Sequence, residues 1–166
     1  MSVLHWTLGL VLLQRVIELA WANRNTLRLR RLGGVEADAG GYPYFILLHA
    51  GWLVSLALFV PAAAQPVWPL LGLFVLLQLG RLWVIVSLGE YWTTRILTLP
   101  GVPLVQTGPF RWVHHPNYLL VIAEIAVLPL AFAAVAIAVS FSAVNLFLIV
   151  RRIRIEESVL ARRRGL

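Results

Sequence analysis

The chain contains no cysteine and no lysine, and only 13% of its 166 residues are charged. Without cysteine there are no disulfides, thiolate metal sites or cysteine nucleophiles. Acidic residues are scarce, 7 against 14 basic ones, and every basic residue is arginine. The four histidines, His5, His49, His114 and His115, form no H-E-x-x-H pattern. Adjacent His114 and His115 point in different directions, so a structural metal site is not expected.

Apolar residues fill the space left by the missing charge. They make up 60% of the chain, above the roughly half found in soluble domains, where about a quarter of residues are charged. A water-soluble fold of this size would leave too much apolar surface uncovered, so the solvent for most of the chain is lipid. The length suits one domain spanning residues 1–166. A net charge of +7 can mark a nucleic-acid binder. Here the arginines flank long apolar runs, which points to the anionic face of a bilayer and not to nucleic acid.

A spanning helix needs about 20 mostly apolar residues. Val3 to Ala22, Tyr44 to Val60 and Val67 to Leu88 qualify. Tyr118 to Val150 is too long for one span and reads as two, turning near Pro129 to Ala134. The first segment ends in Ala20-Trp21-Ala22, like a signal-peptide cleavage site, but it lacks a basic start and carries Arg15 and Glu18. It reads as a retained helix. The fold predicted is all-α, an integral membrane bundle of about five helices whose last two form a hairpin.

The arginines test that count. Arg24, Arg28, Arg30 and Arg31 follow the first span, Arg95 and Arg111 the third, and Arg151, Arg152, Arg154, Arg162, Arg163 and Arg164 the last. The opposite connections, Pro61 to Pro66 and the turn near Pro129, have none. Five spans put all twelve on one side, which the positive-inside rule makes the cytoplasm. Four spans would strand the last six outside. The N-terminus is then outside and the C-terminus inside. Gly33 to Gly41 reads as a flexible loop without chemistry.

Polar groups within the spans need a partner or a purpose. Arg15 and Glu18 share a helix face, as do Gln78 and Arg81, and interhelical ion pairing is the favoured reading. Glu124, about one and a half turns into the fourth span, is placed to orient a loop histidine or arginine. The segment from Leu99 to Tyr118 is too rich in Pro and Gly for a continuous helix. Pro116 suits the first turn of the next helix and forces His115 toward an extended backbone. His115 and Tyr118 thereby come to a helix N-terminus, where amide groups favour an anion. An interfacial aromatic belt would account for Trp92 and Trp112, but not for the concentration of His, Tyr and Asn around one Pro. On the last span, Asn145, Arg152 and Glu156 fall on one face. As an exposed pair, Arg152 and Glu156 would contribute only about 0.3–0.5 kcal/mol, and the Arg-before-Glu order is the weaker one.

Gly108-Pro-Phe-Arg-Trp-Val-His-His-Pro-Asn-Tyr118, followed after 37 residues by Glu156-Glu157 and then Leu160, resembles the signature of the isoprenylcysteine carboxyl methyltransferase family. That signature is Arg-His-Pro-x-Tyr and then a Glu pair, and the resemblance covers about residues 92–166. It implies an integral-membrane methyltransferase that uses S-adenosyl-L-methionine on the cytoplasmic side and takes a lipophilic acceptor from the bilayer. Carried over by position, the cofactor pocket would comprise the backbone around Leu104 and Val105, then Phe110, His115, Pro116, Asn117 and Tyr118, with Glu156 closing it. Arg152 matches the acceptor-facing position, so Arg152 and Glu156 are the catalytic candidates. Two positions depart from the pattern: His114 replaces the family's Arg, and Phe110 replaces a Tyr, keeping a stacking surface without its hydroxyl.

The segment from His115 to Tyr118, with Glu124 and Leu128-Pro129-Leu130, looks closest to members that O-methylate alkylpyrones. That resemblance implies a type III polyketide synthase as partner and a bacterial cytoplasmic membrane as location. An isoprenylcysteine carboxylate is the other acidic acceptor. Phospholipid-type N-methylation, which would not need Arg152, and a non-enzymatic membrane protein keeping the fold are the alternatives. Transporters usually show repeated halves, which this sequence lacks.

Overall fold

The computed structural model describes residues 2–163, with side chains through 161. Of the C-terminal basic cluster, the side chains of Arg162 and Arg163, and all of Arg164, lie outside the described residues. Five α-helices carry the fold: α1 (Val3–Arg31), α2 (Tyr42–Phe59), α3 (Trp68–Leu88), α4 (Pro116–Ala131) and α5 (Val135–Arg163). Two short strands, β1 (Val35–Glu36) and β2 (Leu97–Thr98), pair antiparallel between the loops.

The helices start where the sequence permits. Proline stands in the first turn of α2, α3 and α4, where the missing N–H costs nothing and the fixed φ is already helical. Four helices, α1, α2, α3 and α5, are long and apolar enough to cross a membrane. Their outward faces are apolar too: Leu10, Leu13, Leu47, Leu58, Phe59 and Phe147 are all more than half exposed. An apolar exterior this extensive fits lipid and not water.

The last two helices are the expected hairpin. Phe132 to Ala134 make the turn, within the stretch the sequence marks, and Ala133 adopts a positive φ of 56°. At the same end, the Val67 amide donates to the Ala131 carbonyl, so α3 begins level with the end of α4. α4 has only 16 residues, a length of about 24 Å against a hydrocarbon thickness of about 30 Å. α3, at 21 residues, runs further. The shortfall falls at the N-terminus of α4, and the loop between α3 and α4 folds into that space.

The core joins Leu4 and Val11 of α1, Trp52 and Leu56 of α2, Phe74 of α3, Val121, Ile125 and Leu128 of α4, and Ile149 of α5. α3 packs closely on α4, and α4 on α5, whereas α1 and α2 meet sparsely. Gly80 allows the close α3–α4 contact, because a Cβ there would come within 3.1 Å of Leu120.

Four charged side chains within the bundle, Arg15, Glu18, Arg81 and Glu124, form one cluster. Glu18 accepts from Gln14 and Arg15 on its own helix and from Arg81 of α3. Glu124 of α4 accepts from Arg15, with Arg81 Nη1 3.6 Å away. The interhelical pairing expected for Arg15, Glu18 and Arg81 is therefore present. Glu124 differs from expectation: it completes this cluster instead of orienting a loop residue. The ninth of the 16 residues of α4, it faces α1 and α3 at bundle depth, below the loops. Gln78 stays outside the cluster and turns back to the Phe74 carbonyl at 3.5 Å.

Two other local readings need correction. The segment from Gly33 to Gly41 is pinned, not free. β1 pairs with β2, Glu36 binds Arg30 and Arg95, and Asp38 takes both guanidinium nitrogens of Arg151. Partial burial pushes the Glu36 carboxyl up, but hydrogen bonds and charge from Arg95 and Arg30 outweigh it and hold it below the usual carboxylate range. Trp92 is not part of an interfacial belt. It is buried against Ala22, Val84 and Ile85, under the Arg81 guanidinium, and Asn25 donates to its carbonyl. Trp112 is 71% exposed, as a belt residue would be.

Candidate functional site

The loop that cannot be helical becomes a wall. Gly108, at a φ of +59°, starts a single 3-10 turn ending at Arg111. A Cβ on Gly108 would lie 2.1 Å from the Ser87 hydroxyl, so glycine is what lets the loop close against α3. His115 precedes Pro116 with a non-helical backbone (φ −127°, ψ 59°) and provides no side-chain cap. The first turn of α4 keeps amide groups free of side-chain capping.

This wall encloses a cavity of about 1150 Å³ at the arginine-rich end of the bundle, extending down between α1 and α2. Leu104, Val105, Phe110, His115, Pro116, Asn117, Tyr118, Arg152 and Glu156 all line it. The nine positions, spread over 53 residues of chain, thus share one space.

Tyr118 ties the site together. Its hydroxyl donates to Glu156 Oε2 at 2.6 Å and accepts from Arg152 Nε at 2.9 Å. Arg152 and Glu156 therefore do not pair directly; α4 reaches across α5 to join them. Arg152 is only 9% exposed and donates a second bond, from Nη2 to the Thr94 carbonyl at 2.9 Å. Its guanidinium stacks 5.1 Å from the Phe45 ring of α2. Held on three sides, Arg152 still has Nη1 without a partner among the described residues, on the cavity wall. His115 stacks on Tyr118, ring centroids 5.3 Å apart, with Nδ1 3.7 Å from Glu156 and Nε2 3.6 Å from Glu157.

One predicted face is split. Asn145 is fully buried two turns before Arg152, with neither amide atom bonded among the described residues, and it does not line the cavity. His114, where the family pattern has Arg, is exposed on the cavity margin.

The site also uses residues that the sequence does not single out. Phe45 and the Thr94 carbonyl complete the cradle of Arg152. Phe45 is one apolar residue among many in a span, and a backbone carbonyl has no sequence signal. His49 and the Arg15–Glu18–Arg81 wall line the lower cavity. A histidine inside an apolar span was the available signal for that half.

The model of the isoprenylcysteine carboxyl methyltransferase (ICMT) family matches residues 70–162, more than half of the chain. The chain belongs to that family. Its members are membrane methyltransferases that draw on S-adenosylmethionine, and at that level the activity of this chain follows. The match begins in α3 and includes every predicted site residue, so the family region holds one wall of the cavity while α1 and α2 supply the other. The chain is also 38% identical over 162 residues to uncharacterized protein YpbQ of Bacillus subtilis (strain 168), covering 95% of this chain and 96% of that one. No solved structure matches.

The cavity fits the family's cofactor on its own chemistry. S-adenosylmethionine carries a carboxylate, an ammonium, ribose hydroxyls and a flat adenine. The uncapped first turn of α4 suits an anion, and Glu156 suits a cation. The buried Asn117 Oδ1, which has no partner among the described residues, leaves an acceptor for an N–H or O–H of a ligand.

Proposed function

We propose that the chain is an O-methyltransferase for a lipophilic acidic acceptor, and that Arg152 is the residue that selects it. The observation that carries this reading is the cradle of Arg152: a buried guanidinium locked by Tyr118, Thr94 and Phe45 on the cavity wall, with Nη1 left without a partner among the described residues. A planar fork held in this way matches a carboxylate or an enolate. An amine acceptor would gain nothing from a fixed cation, which argues against phospholipid N-methylation. An alkylpyrone enolate supplied by a type III polyketide synthase is the favoured acceptor, and an isoprenylcysteine carboxylate has the same anionic head.

The cofactor supplies an electrophilic methyl group on sulfur. His115 and the first turn of α4 hold its carboxylate, Glu156 its ammonium or ribose hydroxyls, and Asn117 a further donor. Leu104, Val105 and Phe110 enclose the remainder, with Phe110 as the flat surface. Arg152 holds the acceptor oxygen in line. An acidic acceptor is already ionised near neutral pH, so no general base is required. Orientation and exclusion of water are what the protein contributes, and well-aligned reactants gain as much as about 7–11 kcal/mol from alignment. The acceptor's tail enters between the sparsely packed α1 and α2, along Leu12, Val16 and Ile46. By the positive-inside rule the site faces the cytoplasm, with the N-terminus outside and the C-terminus inside.

The test is to incubate membranes containing the protein with S-adenosylmethionine carrying a labelled methyl group and to identify the labelled lipid-soluble product by mass spectrometry. A methyl ether or ester supports the reading, and a methylated amine refutes it. Absence of cofactor binding in calorimetry would sink the enzyme reading altogether.

A further inference from the structure

The lower half of the cavity has a polar group that methyl transfer to an oxyanion does not use. His49 lies one helical turn beyond Phe45 on α2, about 6 Å further along the helix, on the cavity wall. Its Nδ1 is 2.8 Å from the Phe45 carbonyl. A carbonyl can only accept, so Nδ1 carries the hydrogen, and in the neutral ring Nε2 is a bare acceptor.

The neighbours of His49 leave that atom unclaimed. The charged groups that face His49 are Arg15 and Glu18 from α1 and Arg81 from α3, and Glu124 of α4 pairs with Arg15 and Arg81 behind them. Glu18 is committed to guanidiniums through both oxygens and Glu124 through Oε2, while Glu124 Oε1, an acceptor with no partner among the described residues, could not pair with a bare Nε2; the Trp52 ring meets the imidazole edge-on at 6.4 Å. Among the described residues no donor reaches Nε2. A polar atom left unpaired in an apolar span is costly, whereas one beside a ligand channel has a partner waiting. The surrounding wall is apolar, formed by Leu12, Val16, Ile46, Ala50 and Leu53.

We infer that His49 Nε2 is a hydrogen-bonding subsite for a hydroxyl group on the lipophilic acceptor, one helical turn deeper than the oxygen held by Arg152. The inference rests on the lower cavity being the acceptor's channel, and it narrows the acceptor to amphiphiles bearing an O–H donor beside the alkyl chain. His49 acts here as a specificity residue for binding. No bond to it is made or broken.

The probes are 4-dodecylphenol and 4-dodecylanisole, which share a chain and a ring and differ in the hydroxyl hydrogen. They are titrated into the full chain in nanodiscs without cofactor, with empty nanodiscs correcting for partition. The phenol should bind about tenfold tighter than the anisole, the size of one good buried hydrogen bond. In protein carrying 15N-labelled histidine, the His49 Nε2 resonance, assigned by its loss in His49→Gln, should move with the phenol and stay with the anisole. His49→Gln, which keeps an acceptor, should retain most of the preference, and His49→Leu should abolish it. Equal binding of the two probes by the unaltered protein, or a resonance that ignores the phenol, overturns the inference, and neither comparison depends on a variant folding. Separate calorimetry with S-adenosylmethionine keeps the two readings apart. Cofactor binding without probe discrimination sinks only the subsite, and probe discrimination without cofactor binding sinks only the methyltransferase reading.

Discussion

Replacing Tyr118 by phenylalanine removes one oxygen atom and with it both bonds that join α4 to the site residues of α5. The ring, and its stacking on His115, can stay. The two lost bonds differ in worth. Hydrogen bonds to charged groups contribute about 1.5–3 kcal/mol when buried. The Glu156 side chain is 30% exposed, so water replaces much of what the carboxylate loses. Arg152 is 9% exposed and has no such substitute, and its Nε becomes a buried donor without an acceptor. Only the bond to the Thr94 carbonyl then holds the guanidinium in hydrogen-bonded register. A loss of about 2 kcal/mol in alignment at Arg152 corresponds to about a thirtyfold slower reaction. The assay is the initial rate of methyl-label incorporation into lipid-soluble product, measured beside S-adenosylmethionine affinity by calorimetry. Tyr118→Phe should lower the rate about thirtyfold and weaken cofactor binding less, through the freed Glu156. A Tyr118→Phe protein that is well folded, binds cofactor and retains the full rate would refute the argument that this hydroxyl sets the geometry of Arg152.

Arg152→Ala should reduce label incorporation far more than cofactor affinity, and equal loss of both would reject the division of roles between Arg152 and Glu156. Glu124→Ala leaves Arg15 with one carboxylate and removes Arg81's second neighbour, so thermal unfolding in detergent should show a loss of about 3 kcal/mol, typical of breaking a buried pair; Glu90→Gln, which removes an exposed pair with Arg28, should leave the melting curve unmoved. The folded-state pKa of Glu36 lies below its unfolded value, so its stabilisation is complete above an unfolded pKa of about 4.3 and is lost as pH falls through the lower folded value. Proteolytic nicking of the loops around β1 and β2 should therefore increase in that acidic window in the unaltered protein and change less with pH in Glu36→Gln. Gly108→Ala forces a side chain into a left-handed backbone against Ser87, a cost of about 1–3 kcal/mol; it should open the loop to protease and lower cofactor affinity without unfolding the bundle.

Much of this was legible from residue order. Five helices and the final hairpin follow from the lengths of the apolar runs and from prolines at helix starts, but α1 and α5 run past the apolar stretches, to Arg31 rather than Ala22 and to Arg163 rather than Val150. The clustering of basic residues at one end follows from where the arginines stand. The nine candidate positions can be named because two short motifs, around Pro116 and at Glu156, are recognisable as strings; that they line one cavity is what the tertiary structure adds. Three readings failed for one shared reason. Glu124, Trp92 and the segment from Gly33 to Gly41 are each assigned by neighbours in sequence, but their partners are Arg15, Asn25 and β2, which lie far away along the chain.

Taken alone, the sequence determines the solvent of this protein, the number of its helices and the end at which its polar chemistry gathers. These depend on composition and period, which are properties of short stretches. Only the tertiary structure decides that Tyr118 stands between Arg152 and Glu156, that Phe45 and Thr94 complete the cradle, and that His49 opens onto the same cavity. Those relations join helices whose relative rotation and depth no local pattern encodes. They arise because α4 is shorter than α3, so that the loop before it descends into the bundle, and because α1 and α2 pack too loosely to fill the space beside it.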